Sequence, residues 1–177
     1  MPALAALSPR VPRVTVLGLG NTILTDDAIG VLAAREVGRL IDSETVSVTE
    51  LCWGGFAILD ELDGTEWAIL LDAIQTGESP PGTITEWAVP THCPSRRLIS
   101  YHDLGFFTAL EMGRMLGMAM PDRVTLLTVE AEDVETVGER LTPAVEGALA
   151  GLVGRVIQTL ERGGVLRDTG ALAGAGI

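Results

Sequence analysis

The sequence predicts an α/β fold, a three-layer sandwich in which a five-stranded, mostly parallel β-sheet carries helices on both faces. Apolar runs that are typical of buried strands alternate along the chain with segments whose apolar residues recur at helical spacing. Such alternation is characteristic of sheets whose parallel strands are joined by helices. With 177 residues, 47% of them hydrophobic, the chain is long enough for one sizeable core and rather short for two.

The first half of the chain predicts three strands and two helices. A continuous apolar run at residues 14–19 ends in a glycine-containing loop and is followed by a helical pattern at 28–40. Residues 46–51 and 67–71 are two further candidates for buried strands. Between them, a glycine pair precedes a short amphipathic segment at 56–62. We therefore expect the order strand, helix, strand, helix, strand.

The second half predicts the remaining two strands and a long helix between them. Residues 83–89 alternate in polarity, which favours an edge strand that can be antiparallel to its neighbour. Residues 124–129 supply the fifth strand. The helix predicted at 103–118 can turn its larger apolar side chains towards the sheet. These are Leu104, Phe107, Leu110, Met115 and Met118.

The last helix is predicted to begin at Thr142-Pro143, where a capping hydroxyl precedes a proline at the first helical position. One apolar stripe follows, formed by Val145, Leu149, Leu152, Val156 and Leu160. From Gly163 the chain is glycine-rich and only weakly patterned. We therefore expect a single domain at residues 1–162 and a flexible C-terminal tail at 163–177.

Charge and cysteine content restrict the class of protein. The net charge of −12, from 24 acidic and 12 basic side chains, repels phosphate backbones and anionic lipid, so we expect neither nucleic acid nor a membrane as a partner. No apolar run reaches the roughly 18 residues of a transmembrane helix, and the first residues lack the basic region of a signal peptide. The two cysteines, Cys52 and Cys93, are too few for a disulfide framework, which favours a cytoplasmic location.

Three polar residues are candidates for a metal site. In an open parallel sheet, ligands gather beyond the carboxyl ends of the strands. Asp27 follows the first strand, Asp72 is predicted to end the third strand, and His102 is predicted to lie just before the helix that starts near Asp103. If they meet at one edge, two carboxylates and one imidazole can bind a divalent transition metal while leaving coordination positions open.

Each of these residues also has a purely structural interpretation. Asp26 or Asp27 could cap the helix that follows. Asp72 could cap a turn or bond to backbone in the next loop, and His102 could be a helix-start residue paired with Asp103. Taken singly, these structural roles are at least as common as the functional one, so only the joint placement of the three residues favours a metal site.

A dinucleotide site is the first alternative for the glycine-rich loop. The loop contains Gly18 and Gly20, but Ile23 stands where the fingerprint requires a third glycine. The neighbouring carboxylates of Asp26 and Asp27 would repel phosphates. We therefore expect Gly18 and Gly20 to allow a tight turn and a close approach of backbone segments.

A thiol hydrolase is the second alternative, with Cys52 or Cys93 as the nucleophile and a histidine as the base. Neither cysteine has an electropositive neighbourhood in the sequence, and a buried, structural thiol is the commoner fate of an isolated cysteine. We assign no catalytic nucleophile from the sequence.

Four segments of the chain form a recognisable set: GLGNTILTDDAIG (residues 18–30), LLDAI (70–74), SYHDLG (100–105) and LTPAVEGAL near the last helix. In order and spacing they resemble the hydrogenase maturation endopeptidases. The resemblance implies a five-stranded α/β sandwich that removes a short C-terminal extension from a nickel-loaded [NiFe]-hydrogenase large-subunit precursor. It also implies that nickel arrives with the substrate and meets Asp27, Asp72 and His102. A non-enzymatic nickel-binding escort of the large subunit would need the same ligands and is the alternative.

The chain departs from the family pattern after the second strand. Many members read Asp-Gly-Gly there, whereas this chain reads Trp53-Gly54-Gly55. Whatever that aspartate does in the family cannot be transferred to a tryptophan. Glu50, at the end of the preceding strand, is the candidate substitute.

Overall fold

A five-stranded sheet forms the centre of the computed structural model, which describes residues 13–52, 57–89 and 101–166, with only the backbone described at 57, 89 and 101–105. Its strand order is β2-β1-β3-β5-β4. Every pair of neighbouring strands is parallel except the edge strand β4, which is antiparallel to β5. The strands are β1 (Val14–Leu19), β2 (Val46–Leu51), β3 (Trp67–Ile74), β4 (Ile84–Val89) and β5 (Arg123–Glu130). The predicted sheet, including its antiparallel edge, is confirmed.

Helices cover both faces of this sheet. The four helices are α1 (Ile29–Leu40), α2 (Ala57–Leu62), α3 (Tyr101–Met115) and α4 (Pro143–Arg162), with a 3-10 turn at Thr25–Ala28 before α1. Buried side chains of α1 and α4 join one apolar core, and those of α2 and α3 join the other. The predicted three-layer arrangement is therefore confirmed.

The alternation of β3 determines which face each of its side chains meets. Ile69, Leu71 and Ala73 belong to the core under α1 and α4, whereas Ala68 and Leu70 belong to the core under α2 and α3. Because successive side chains of a strand point to opposite faces, Asp72 lies on the α2–α3 face.

The third strand is longer than predicted. Its pairing with β1 ends at Gly18 and Leu71, but its pairing with β5 continues through Asp72 to Ile74. The prediction that Asp72 ends this strand is therefore wrong, because hydrogen bonds to β5 extend β3 past that residue. Asp72 is instead the first residue of β3 that lies beyond its pairing with β1.

The C-terminal half of α3 also differs from the prediction. Phe107 and Leu110 are buried against the sheet as expected. The helix stops at Met115, however, and Gly117 follows with a φ of 78°, a left-handed conformation that ends a helix. Met115 is 88% exposed, so the prediction that it faces the sheet is wrong, while Met118 packs on the core from beyond the helix.

The start of α3 reaches the carboxyl edge of the sheet. Just beyond the end of the helix, Ala119 exchanges hydrogen bonds of 2.9 Å with Asp63 and Gly64, which precede β3 at the amino edge. A helix of 15 residues is about 22 Å long, which is enough to span the sheet, so we infer that its first turn lies at the opposite edge. His102 belongs to this first turn rather than preceding the helix, because α3 begins at Tyr101 and not near Asp103.

Two glycines allow α1 to lie directly on the sheet. A Cβ on Gly30, in the first turn of α1, would collide with the carbonyl oxygens of Leu19 and Leu71, and a Cβ on Gly18 would collide with the carbonyl of Gly30. The predicted close approach of backbone segments at Gly18 is confirmed. It brings the start of α1 against the carboxyl ends of β1 and β3.

The described part of the chain ends shortly after α4. Val165 is still buried against the core, and residues 167–177 lie outside the described residues, as do residues 1–12. The boundary predicted at Gly163 stays a prediction. Within the described ranges, no helix combines the length and apolar composition needed to cross a bilayer.

Candidate functional site

Asp27 lies in the 3-10 turn that leads from β1 to α1, at the carboxyl edge of the sheet. Gly20 begins the loop between β1 and this turn, with a φ of 136°, and a Cβ there would collide with the carbonyl oxygen of Asp27. The Asn21 N–H donates a 2.8 Å hydrogen bond to Asp27 Oδ2. Neither the turn nor α1 has a side-chain cap, so the capping interpretation of Asp27 is wrong, and its carboxylate is instead bonded to the loop that precedes it.

Asp26 does not cap the helix either. Its side chain is fully buried and accepts hydrogen bonds from the loop between β5 and α4, more than one hundred residues away in sequence. Sequence patterns did not reveal this role, because nothing local to Asp26 indicates so distant a set of donors.

Asp72 is fully buried and lies on the strand that contacts the turn carrying Asp27. Its Oδ1 accepts a 2.9 Å hydrogen bond from the N–H of Ala73, so the backbone bond expected from the structural interpretation exists, although within the strand and not in a later loop. The 3-10 turn at Thr25–Ala28 contacts β3. Two buried carboxylates, those of Asp27 and Asp72, therefore lie on adjoining segments at one edge of the sheet.

The backbone of His102 lies in the first turn of α3, and its side chain is outside the described residues, as are those of Tyr101 and Asp103. Among the side chains that the structure describes, no group of three or more histidine, cysteine, aspartate or glutamate residues has a geometry that could hold a metal ion. The predicted ligand set of Asp27, Asp72 and His102 depends on the imidazole and stays a prediction.

Glu50 is engaged in an ion pair. Arg35 Nε and Nη2 donate hydrogen bonds of 3.1 and 2.7 Å to its two carboxylate oxygens. The hydrogen bond from Arg35 holds the pKa of the Glu50 carboxyl below its ordinary value. This partner gives Glu50 a structural role on the exposed side of β2, while Trp53 and the two glycines after it lie outside the described residues.

A further buried carboxylate supports the loop that follows β3. Glu130 Oε1 accepts hydrogen bonds of 2.7 Å from the N–H groups of Thr76 and Gly77, and Oε2 accepts one of 2.7 Å from the Thr76 hydroxyl. Sequence analysis missed this residue. The signal was present, because a charged side chain directly after a mostly apolar run must find partners when the strand is buried.

Of the two cysteines, only Cys52 lies among the residues that the structure describes. Cys52 is a free thiol and is exposed at the end of β2, which contradicts the expectation that it is buried. Cys93 lies outside the described residues.

Comparison with known proteins identifies relatives over most of the chain. The sequence model of the family described as HycI, hydrogenase maturation protease, matches residues 31–159. The hydrogenase 2 maturation protease of Escherichia coli K12 is 32% identical over 158 residues, which cover 86% of this chain and 93% of that protein. The hydrogenase expression/formation protein HupD of Rhizobium leguminosarum is 28% identical over 161 residues, 89% of this chain and 78% of that protein.

Solved structures agree with the sequence relatives. The hydrogenase maturating endopeptidase HybD from E. coli superposes with a TM-score of 0.73 at 30% identity, covering 86% of this chain and 94% of that one. The [NiFe] hydrogenase maturation protease HybD from Thermococcus kodakarensis, with a TM-score of 0.66 at 20% identity over 83% of this chain and 98% of that one, supports the fold alone. The architecture is thus that of the hydrogenase-maturating endopeptidases.

The chain belongs to the hydrogenase maturation protease family and is a protease, which confirms the resemblance inferred from its motifs.

Proposed function

We propose that the protein is an endopeptidase that removes the C-terminal extension of a nickel-loaded [NiFe]-hydrogenase large-subunit precursor and recognises the nickel as part of its substrate. The observation that carries this proposal is the pair of buried carboxylates, Asp27 and Asp72, on adjoining segments at the carboxyl edge of the sheet. We infer that the first turn of α3, which includes His102, lies at the same edge, because the other end of this 15-residue helix lies near the amino edge.

The chemistry of these side chains suits a substrate that brings its own divalent metal. Burial makes it costly to hold two carboxylates close together as anions, and a cation between them reduces that cost. Two oxygen donors and one imidazole nitrogen would complete the coordination of nickel without filling it, because the precursor supplies the remaining ligands. The net charge of −12 also favours a partner that presents a cation.

In this proposal the nickel serves first as a specificity check. Only a loaded precursor completes the ligand set of Asp27, Asp72 and His102, so the C-terminal segment of an empty precursor is not held in place for cleavage. A metal in this position can also polarise the scissile carbonyl or activate a water molecule. The three ligands do not serve as the general base, because a side chain that binds the metal cannot readily accept a proton at the same time.

Intact-mass spectrometry of the precursor tests this function. The purified protein is mixed with a large-subunit precursor from the same source, with and without nickel loaded. We expect one C-terminal peptide to be lost only from the loaded precursor. Loss of the peptide from both forms would overturn the proposal that nickel is recognised, but the proposal of endopeptidase activity would stand. Tight binding without any loss of mass would favour the escort alternative.

The same assay tests the thiol mechanism. We expect the double variant Cys52→Ser, Cys93→Ser to cleave the loaded precursor at the wild-type rate, because no cysteine has a role in metal-directed cleavage. Each single variant serves as a control for misfolding. Loss of cleavage in Cys52→Ser, with the fold retained by circular dichroism, would make the exposed thiol a candidate nucleophile.

Glu50→Gln is expected to cleave the loaded precursor within about twofold of the wild-type rate, because Arg35 already engages both of its carboxylate oxygens. Loss of this exposed ion pair costs about 0.5 kcal/mol of unfolding free energy. Because the pKa of Glu50 is lowered in the folded state, the pair stabilises the fold above the ordinary carboxylate pKa, and its contribution fades as the pH falls through the lowered value. Urea unfolding of the wild-type protein and of Glu50→Gln at neutral and acidic pH measures the contribution of the pair. A large loss of cleavage would instead assign Glu50 to the site.

A further inference from the structure

We propose that Asp26 is a positioning residue for cleavage, and this inference rests on the proposed function. Its carboxylate locks the turn that carries Asp27 onto the loop of residues 131–142, between β5 and α4. We call this set of contacts the Asp26 latch; it consists of the Asp26 carboxylate and its donors on Glu132, Asp133 and Thr142.

Four hydrogen bonds surround the buried carboxylate of the Asp26 latch. Oδ1 accepts from the N–H of Thr142 at 2.7 Å. Oδ2 accepts from the N–H groups of Glu132 and Asp133 at 2.9 and 3.0 Å and from the Thr142 hydroxyl at 3.0 Å. A carboxylate accepts at both oxygens, whereas an amide must present its NH₂ group to one set of donors. An aspartate side chain therefore accepts from all four donors, whereas an asparagine side chain does not.

Thr142 connects the latch to α4. It stands at the N-cap position, where its side chain forms no capping bond, and its hydroxyl donates to Asp26. The prediction that Thr142 caps α4 with its hydroxyl is therefore wrong, although Pro143 does begin the helix as expected. The latch thus ties the start of α4 to the turn before α1.

Two further hydrogen bonds join the turn to the same loop. The N–H of Asp26 donates to the carbonyl of Asp133 at 2.9 Å, and the hydroxyl of Thr25 donates to the carbonyl of Thr136 at 2.7 Å. Two consecutive residues of the turn are therefore bonded to one loop. A segment held at so many points has little freedom to shift as a unit.

The next residue along the turn is Asp27, which is held from the opposite side. Its carbonyl oxygen lies against Gly20, and its carboxylate accepts from Asn21. The turn is thus fixed between the loop after β1 and the loop before α4. If the latch is lost, the Asp27 carboxylate can move, and a displacement of about 1 Å in a reacting geometry can cost about a hundredfold in rate.

Asp26→Asn, Thr142→Val and their combination test the latch. In Asp26→Asn we expect kcat for the nickel-loaded precursor to fall at least about tenfold while KM changes less than about twofold, since the precursor still docks but the ligand is misplaced. Thr142→Val should lower kcat less, and the double variant should be no slower than Asp26→Asn, because both changes break the same set of contacts.

Hydrogen exchange gives a readout that does not depend on cleavage. The amide proton of Asn21, which bonds to Asp27 Oδ2, should exchange faster in both single variants than in the wild-type protein. Failure of the wild-type protein to cleave the loaded precursor would refute the proposed function, whereas the Asn21 exchange rate would still report on the latch.

Thr65→Val is the matched control. It removes the buried 2.7 Å hydrogen bond between the hydroxyls of Thr15 and Thr65, near the amino edge. It should lower the unfolding temperature and leave both kcat and Asn21 exchange unchanged. An equal loss of kcat in Thr65→Val would show that general destabilisation explains the effect and would overturn the positioning role. If Asp26→Asn does not fold, the test rests on Thr142→Val. A Thr142→Val protein with the same kcat and the same Asn21 exchange rate as the wild-type protein would overturn the positioning role.

Discussion

Replacing His102 by alanine is expected to abolish nickel-dependent processing while the protein stays folded. In the proposed site the imidazole is the only nitrogen donor, and its backbone lies in the first turn of α3 at the carboxyl edge. Loss of residues that merely support metal ligands costs about 10- to 100-fold, so loss of a ligand itself should reduce the rate at least about a hundredfold. Initial rates from intact-mass spectrometry measure the loss of processing, and circular dichroism shows whether the variant stays folded.

The carboxylate ligands permit a stricter version of this experiment. Asp72→Asn keeps the size of the side chain and an oxygen that can accept from the N–H of Ala73, but removes the charge that the metal would neutralise. We expect a loss of processing comparable to that of His102→Ala. Asp63→Asn is the control, because Asp63 also accepts a backbone N–H, that of Ala119 at 2.9 Å, at the opposite edge.

Two results would contradict the ligand set. Wild-type cleavage by His102→Ala would remove the histidine from the site, and wild-type cleavage by Asp72→Asn would do the same for the buried acid. Equal losses in Asp72→Asn and Asp63→Asn would point to a general effect of carboxylate removal on the fold.

Gly30→Ala is expected to lower the free energy of unfolding by about 3 kcal/mol, at the upper end of the cost of overpacking. In most helices alanine is more favourable than glycine by about 1 kcal/mol. Here the new Cβ would meet the carbonyl oxygens of Leu19 and Leu71, so α1 would have to move away from the sheet. Because the turn with Asp27 leads directly into α1, the variant should also lose activity.

Gly154→Ala is the control, and we expect it to change the free energy of unfolding in the opposite direction. Gly154 lies within α4, and nothing stands within 4 Å of the position of its Cβ. Alanine should therefore raise the free energy of unfolding by about 0.5–1 kcal/mol. Urea titrations followed by tryptophan fluorescence compare the two variants. A Gly30→Ala protein as stable as Gly154→Ala would show that α1 does not depend on this close approach.

Much of the fold could be predicted from local patterns. The apolar runs of β1 and β3 and the stripe along α4 correspond to buried faces, and the polarity alternation of β4 marks an edge strand. These features depend on the period of side chains along a single element, which a short window of sequence contains. The rule that ligands gather at the carboxyl ends of parallel strands also predicted that Asp27 and Asp72 lie at one edge of the sheet.

Other features depend on contacts between distant parts of the chain. The length of β3 beyond Leu71 follows from pairing with β5. Local propensity carries little information about such partners, since hydrogen bonds between strands and loops form only after the chain has folded back on itself. The end of α3 has a local cause instead, the left-handed backbone at Gly117, and a glycine at this position is itself a signal that a helix ends.

The sequence by itself determined the order of strands and helices, the two-sided burial of the sheet and the candidate acids, because these follow from residue type and spacing. Only the tertiary structure decided what each acid contacts. Asp26 and Asp27 are neighbours in sequence with the same side chain, yet one accepts from Thr142, 116 residues away, and the other accepts from Asn21. The physical reason is that a buried carboxylate takes whichever donors the packed chain presents to it, and those donors need not be near in sequence.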